Sequence, residues 1–149
     1  MFTVLTQTSS ILVVDANPLS RQMACDLLRR AGHTVTWVED GLAALAALKQ
    51  NPPAAVVIDL HLTGLTGLEV VRWLRAQPAT AQIPIMGLSA FVGTEQAARF
   101  IAAGCTRFFA KPIVSAHAFL SAIAGMLRAE PEPLAEPRRN NVVPLRRAS

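Results

Sequence analysis

Residues 55–75, AVVIDLHLTGLTGLEVVRWLR, decide the fold. Ala55 to Ile58 are apolar without alternation, the pattern of a strand buried on both faces. The run stops on one acidic residue, Asp59. A loop reaching to Gly67 follows, and then Leu68, Val71 and Leu74 recur at helical spacing. A carboxylate where a strand leaves the core is either a helix cap or the reactive group of a site.

The same strand–loop–helix grammar recurs along the chain. Ile11 to Val14 form an apolar run ending on Asp15, and Asn17-Pro18 is an N-cap and N1 pair. Leu19, Met23, Leu27 and Ala31 share one face of the first helix, with Gly32 placed as C′. Residues 33–38 are β-rich. Asp40 is placed to cap a helix whose Leu42, Leu45 and Leu48 lie on one side, and Pro52-Pro53 stop it. Residues 83–88 form a fourth strand with Ser89 at its exit. Thr94 is placed to cap a helix carrying Ala97, Phe100 and Ile101, closed by Gly104. Residues 106–110 form a fifth strand leading to Lys111-Pro112, and Ser115 opens a helix burying Phe119, Ile123 and Leu127. Five βα units with right-handed crossovers predict an α/β fold, a doubly wound five-stranded parallel sheet with five helices, flavodoxin-like in architecture. Its site lies at the C-terminal ends of the strands.

The 149 residues suffice for one domain with a real core. Residues 1–9 read as an N-terminal extension, 10–128 as the domain, and 129–149 as a disordered tail with four prolines and no periodicity. Val142 to Leu145 would be the apolar part of a docking motif, if the tail does more than solvate. No apolar run nears the ~20 residues that cross a bilayer, and MFTVLTQTSS lacks the basic start of a signal peptide. Cys25 and Cys105 form neither a ligand pattern nor a disulfide framework. A cytoplasmic setting is expected. The net charge of +4 divides evenly, because residues 1–127 carry nine Lys/Arg against seven Asp/Glu. With no basic helix or basic-aromatic stripe, neither nucleic acid nor membrane is an expected partner.

Asp15, Asp59, Ser89 and Lys111 stand at four strand exits, and strand exits of a parallel sheet share one rim. Two carboxylates, a hydroxyl and an ammonium there suit a divalent metal and a phosphoryl group. Singly, each has a plainer role as cap, turn residue or surface cation.

ILVVDANPLSR, VVIDLHLTGLTGLEVVRWLR, IPIMGLSAF and AGCTRFFAKPI, in this order, resemble the signature blocks of two-component response-regulator receiver domains, from about Ile11 to Leu127. GLEVVRWLR, IPIMGLSAF, AGC and AKPIVSAHAF are most similar to single-domain regulators of the DivK type. The resemblance implies a phosphoacceptor at Asp59, fed by a sensor histidine kinase or a histidine phosphotransfer protein. It implies phosphoryl binding by Ser89 and Lys111, a proline at 112 that often follows a cis bond, and a switch aromatic at Phe108. A core aromatic without a switching role is the alternative for Phe108. It also implies Mg²⁺ held by Asp59, the backbone carbonyl of His61 and Asp15, the last acting through water. Such a protein is no enzyme beyond slow self-dephosphorylation. The first helix with Ser20 and Arg21 is expected to dock the phosphodonor. The last two helices with strand five would bind a downstream protein.

The pattern breaks at Ala16, where the family has a second acid that ligates Mg²⁺ directly. Thr63 and Thr66 also depart, tolerably, from a common proline and an acidic or polar residue. The expectation is therefore a stand-alone regulator with a weakened metal site. Its rival is a degenerate receiver acting as a phosphorylation-independent interaction module. His61 would orient water for dephosphorylation or, more plainly, be an exposed loop histidine with no task. DLHLT is also similar to the D-x-D-x-T strand end of haloacid-dehalogenase-type phosphohydrolases, but His61 replaces the second Asp those enzymes need. A flavodoxin assignment fails because DANPLSR is not a hydroxyl- and glycine-rich phosphate loop.

Overall fold

A computed structural model describes residues 8–90 and 93–128. The extension up to residue 7, the tail and its Val142–Leu145 segment lie outside the described residues. Five strands and five helices alternate: β1 (Ser10–Val14), α1 (Pro18–Arg30), β2 (Thr34–Val38), α2 (Gly41–Gln50), β3 (Ala55–Asp59), α3 (Gly67–Ala76), β4 (Ile85–Ser89), α4 (Thr94–Ala103), β5 (Arg107–Ala110) and α5 (Ala116–Leu127). The strands form one parallel sheet in the order β2-β1-β3-β4-β5. The order reverses direction between β1 and β3, so the crevice of a doubly wound sheet falls where Asp15 and Asp59 emerge.

Strand alternation divides the core. Ile11, Val13, Val57, Met86 and Leu88 pack on one face against Ala24, Cys25 and Leu28 of α1 and Phe119, Ile123 and Met126 of α5. Leu12, Val14, Val56 and Ile58 pack on the other, against α2, α3 and Phe100 of α4. Burial pushes the Cys105 thiol up to about 12 and raises that of Cys25, so both are neutral packing groups.

Two helices are rotated partly away from the predicted faces, although Leu27, Leu45 and Leu48 do pack on the core. In α1 the buried residues are the smaller Ala24 and Cys25 with Leu28, while Leu19 and Met23 are 78% and 47% exposed. Small residues let the helix sit close to the sheet, which rotates the larger apolar pair outward. In α2 Gly41, Ala44 and Leu48 face inward and Leu42 is 71% exposed. A Cβ on Gly41 would lie 2.5 Å from the Leu65 carbonyl oxygen, so this close approach fixes the rotation. Ile101 of α4 is also exposed. The predicted caps hold at Asn17, Asp40 and Ser115. The N-cap of α4 falls on Gly93 rather than Thr94.

Arg75 ties down the N-terminal ends of β4 and β5. Its guanidinium donates to the carbonyls of Gly104, Ala81 and Ile83 at 2.9, 3.0 and 2.7 Å, and to Thr106 Oγ1 at 3.3 Å. No helix among the described residues is long and apolar enough to cross a membrane.

Gly67 sets α3 beneath the exit of β3, since a Cβ there would meet the Asp59 carbonyl oxygen at 2.2 Å and Leu60 Cα at 2.6 Å. Backbone atoms cannot step aside as a side chain can. Gly67→Ala is expected to lose about 3 kcal/mol of stability or more in urea unfolding. Gly64 has φ +73° and open space around it, so Gly64→Ala should lose only about 1 kcal/mol. Equal losses would show that backbone approach at Gly67 is not the constraint.

Candidate functional site

The site is built from strand ends. Asp15 follows β1, Asp59 ends β3, Ser89 ends β4 and Lys111 follows β5, so four neighbouring strands each contribute one polar group. Lys111 closes the set. Its Nζ lies 3.1 Å from Asp15 Oδ2 and 3.2 Å from Asp59 Oδ2. The Lys111-Pro112 bond is cis.

Asp15 is fully buried, and a buried carboxylate requires partners. Oδ1 accepts from the Asn17 amide at 2.9 Å, and Oδ2 accepts from Ser20 Oγ at 2.6 Å. Lys111 Nζ reaches both oxygens. Arg21 donates to the Asp15 carbonyl at 3.2 Å while its guanidinium lies 4.0 Å over the Trp37 ring. The first turn of α1 thus holds Asp15 in place.

Asp59 is partly exposed. Its Oδ1 accepts from the His61 amide at 2.9 Å, and the Leu60 amide donates to the Leu88 carbonyl. Beneath it α3 opens with a capping box in which Glu69 N donates to Thr66 Oγ1 and Thr66 N to Glu69 Oε1. The T-x-x-E spacing was available in the sequence as its signal.

Two partnerships have no sequence signal. One is Ser20 on Asp15. The other is His61, whose ring is not idle: Nε2 lies 2.8 Å from Ser89 Oγ. The ring also meets Phe100 edge-on at 5.9 Å, and Phe100 lies 5.3 Å from Phe108. Phe108 is half-buried and packs against the core on the α2–α4 side. All six expected residues therefore belong to one neighbourhood, with Phe108 joined through Phe100.

A model of the response regulator receiver domain matches residues 11–124. The chain belongs to this family. The Polar-differentiation response regulator DivK of Brucella ovis is 29% identical over 106 residues, covering 71% of this chain and 86% of DivK. DivK of Brucella anthropi is 29% identical over 104 residues, covering 70% and 85%. The chemotaxis response regulator CheY4 of Vibrio cholerae superposes with a TM-score of 0.76 at 27% identity, over 80% of this chain and 99% of that one. The receiver domain of the sensor histidine kinase PA1611 from Pseudomonas aeruginosa, solved with a magnesium ion in its active-site cleft, gives 0.75 at 26% identity, over 82% and 99%.

The donor set that a magnesium ion would meet lacks a carboxylate at position 16. The Ala16 side chain supplies no ligand atom, both carboxylates engage Lys111, and each Asp15 oxygen already accepts from Asn17 or Ser20. No group of three or more His, Cys, Asp or Glu able to hold a metal occurs among the described residues.

Beside Lys111 a cavity of about 380 Å³ is lined by Leu19, Ser20, Met23, Pro112 and Ile113, among others. The outward apolar residues of α1 thus border the site.

Removing the Lys111 ammonium would leave two carboxylates facing one another with no cation between them. Lys111→Met is expected to lower unfolding free energy at neutral pH by about 2–4 kcal/mol. Adding Asp59→Asn should restore part of it. A double variant no more stable than Lys111→Met would show that the bridge does not balance these charges.

Proposed function

We propose that this chain is a stand-alone response regulator of the DivK type, accepting a phosphoryl group on Asp59 and switching a protein-binding surface. The observation that carries this reading is Lys111 spanning Asp15 and Asp59, with the Ser89 hydroxyl on the adjoining strand end. An Asp59 carboxylate oxygen would attack the phosphorus of a partner's phosphohistidine. The P–O bond forms as the P–N bond breaks, and the imidazole leaves with the electron pair and takes a proton from solvent.

The added group carries about −1.5 to −2 charges and three acceptor oxygens. Lys111 is placed to redirect its ammonium from the carboxylates to those oxygens, and Ser89 to donate to one. That movement would shift the exits of β4 and β5 and open room for Phe108, coupling the site to α4, β5 and α5. Exposed Ile101 and Val114 supply apolar contact on that side for a downstream protein. On the other side, Leu19 and Met23 beside the Lys111 cavity suit the apolar flank of a kinase or phosphotransfer partner.

Magnesium occupies the cleft of the PA1611 receiver. Here Ala16 would leave a weaker site, held by Asp59 and the His61 carbonyl, with Asp15 engaged by Asn17, Ser20 and Lys111. When bound, the ion would neutralise charge on the transferring group.

Labelling by a phosphohistidine donor is expected in wild type and absent in Asp59→Asn. Outer partners of metal ligands are worth ~10- to 100-fold in affinity, and a direct carboxylate ligand no less. Ala16→Asp should therefore bind Mg²⁺ at least roughly tenfold more tightly than wild type. Equal affinities would sink the weakened site. No label from any donor, with or without Mg²⁺, would favour an interaction module that never cycles through phosphate.

A further inference from the structure

We infer that His61 is a latch on Ser89: its imidazole restrains the hydroxyl that a phosphoryl group on Asp59 would recruit. The inference rests on Asp59 being the acceptor and adds how that site is held at rest. Nε2 and Oγ are 2.8 Å apart, well inside hydrogen-bond range. The residue is held from two directions. The His61 amide donates to Asp59 Oδ1 at 2.9 Å, tying the residue's backbone to the acceptor itself. On the other side its ring stands edge-on to Phe100, a residue only 3% exposed and hence a firm wall.

A serine hydroxyl has one proton. If Ser89 donates it to Nε2, that proton is not available to a phosphoryl oxygen. If Nε2–H donates instead, Oγ is held in the rotamer that faces the ring. In both tautomers, turning Ser89 toward a modified Asp59 requires this hydrogen bond to be given up. The ring is exposed, so the bond is a modest restraint rather than a lock.

The latch also touches the path from site to surface. His61 meets Phe100 of α4, and Phe100 lies 5.3 Å from Phe108 of β5. The same ring therefore contacts the hydroxyl at the exit of β4 and the aromatic pair that packs α4 on β5. Releasing Ser89 removes one of the contacts that orient the ring against Phe100. His61 acts through Ser89, so it is a positioning residue.

The test uses the full chain and phosphoramidate, a small donor with a P–N bond and no docking surface. Initial labelling rates are compared for wild type, His61→Ala, His61→Gln, Ser89→Ala and the double variant His61→Ala/Ser89→Ala. One neutral hydrogen bond corresponds to about 3- to 10-fold. His61→Ala should label faster by about that factor. His61→Gln, whose amide can still engage Oγ, should stay near wild type, and the gain should vanish in the Ser89→Ala background.

An unchanged or slower rate in His61→Ala overturns the latch, the slower rate showing that the ring assists the hydroxyl. The same gain with Ser89 absent also overturns it, since the effect would then not pass through the hydroxyl. The ¹⁵N NMR signal of His61 Nε2 in unmodified protein gives an arm independent of phosphate. It should move between wild type and Ser89→Ala, and a signal that stays put overturns the latch. A signal that moves while no variant labels sinks the acceptor reading, and the latch with it, by a separate observation.

Discussion

One ammonium between two carboxylates governs the rim of this sheet. Asp15 is fully buried and Asp59 partly so, and their strands are nearest neighbours. Two like charges so placed are stable only with a cation between them, and Lys111 is that cation. The requirement reaches back into the fold. It needs β5 to end beside β4 and the first turn of α1 to hold Asp15 through Asn17 and Ser20. Lys111 is held there by hydrogen bonds as well as charge, reaching both oxygens of Asp15 and one of Asp59.

Much of the architecture was legible in the chain. Unbroken apolar runs such as Ile11 to Val14 mark strands buried on both faces, and two core clusters confirm both faces. Asn17-Pro18, Asp40 and Ser115 carry capping chemistry that depends only on near neighbours, so local sequence states it. The rim could be read because a parallel sheet sends every strand exit to one side. Helix orientation was less legible. In α1 and α2 apolar residues occupy more than one stripe, and spacing alone does not say which one meets the sheet. Ala24 and Cys25 win over Leu19 and Met23 because closeness to the sheet favours small side chains.

The contacts that sequence could not show are those set by register and rotamer together. His61 and Ser89 lie 28 positions apart, and they meet because β3 and β4 pair with Asp59 opposite Leu88. Membership of the receiver family identifies the rim without identifying this neighbour. Ala16 works the other way. A missing carboxylate is plain in the sequence, and the structure adds what sequence could not show, that both Asp15 oxygens already accept from protein donors.

Arg75 has a mechanical consequence at the opposite end of the sheet. Its bonds to Gly104, Ala81 and Ile83, with the reciprocal bonds between Ile85 and Thr106, lace the starts of β4 and β5 to α3. Their far ends carry Ser89 and lead to Lys111. A pair of strands pinned at one end and held by side-chain charge at the other is a lever with a fixed fulcrum. A pull at the rim would meet the most resistance at Arg75, so it would favour tilt of the strand pair beneath α4 and α5 over a slide of the whole sheet.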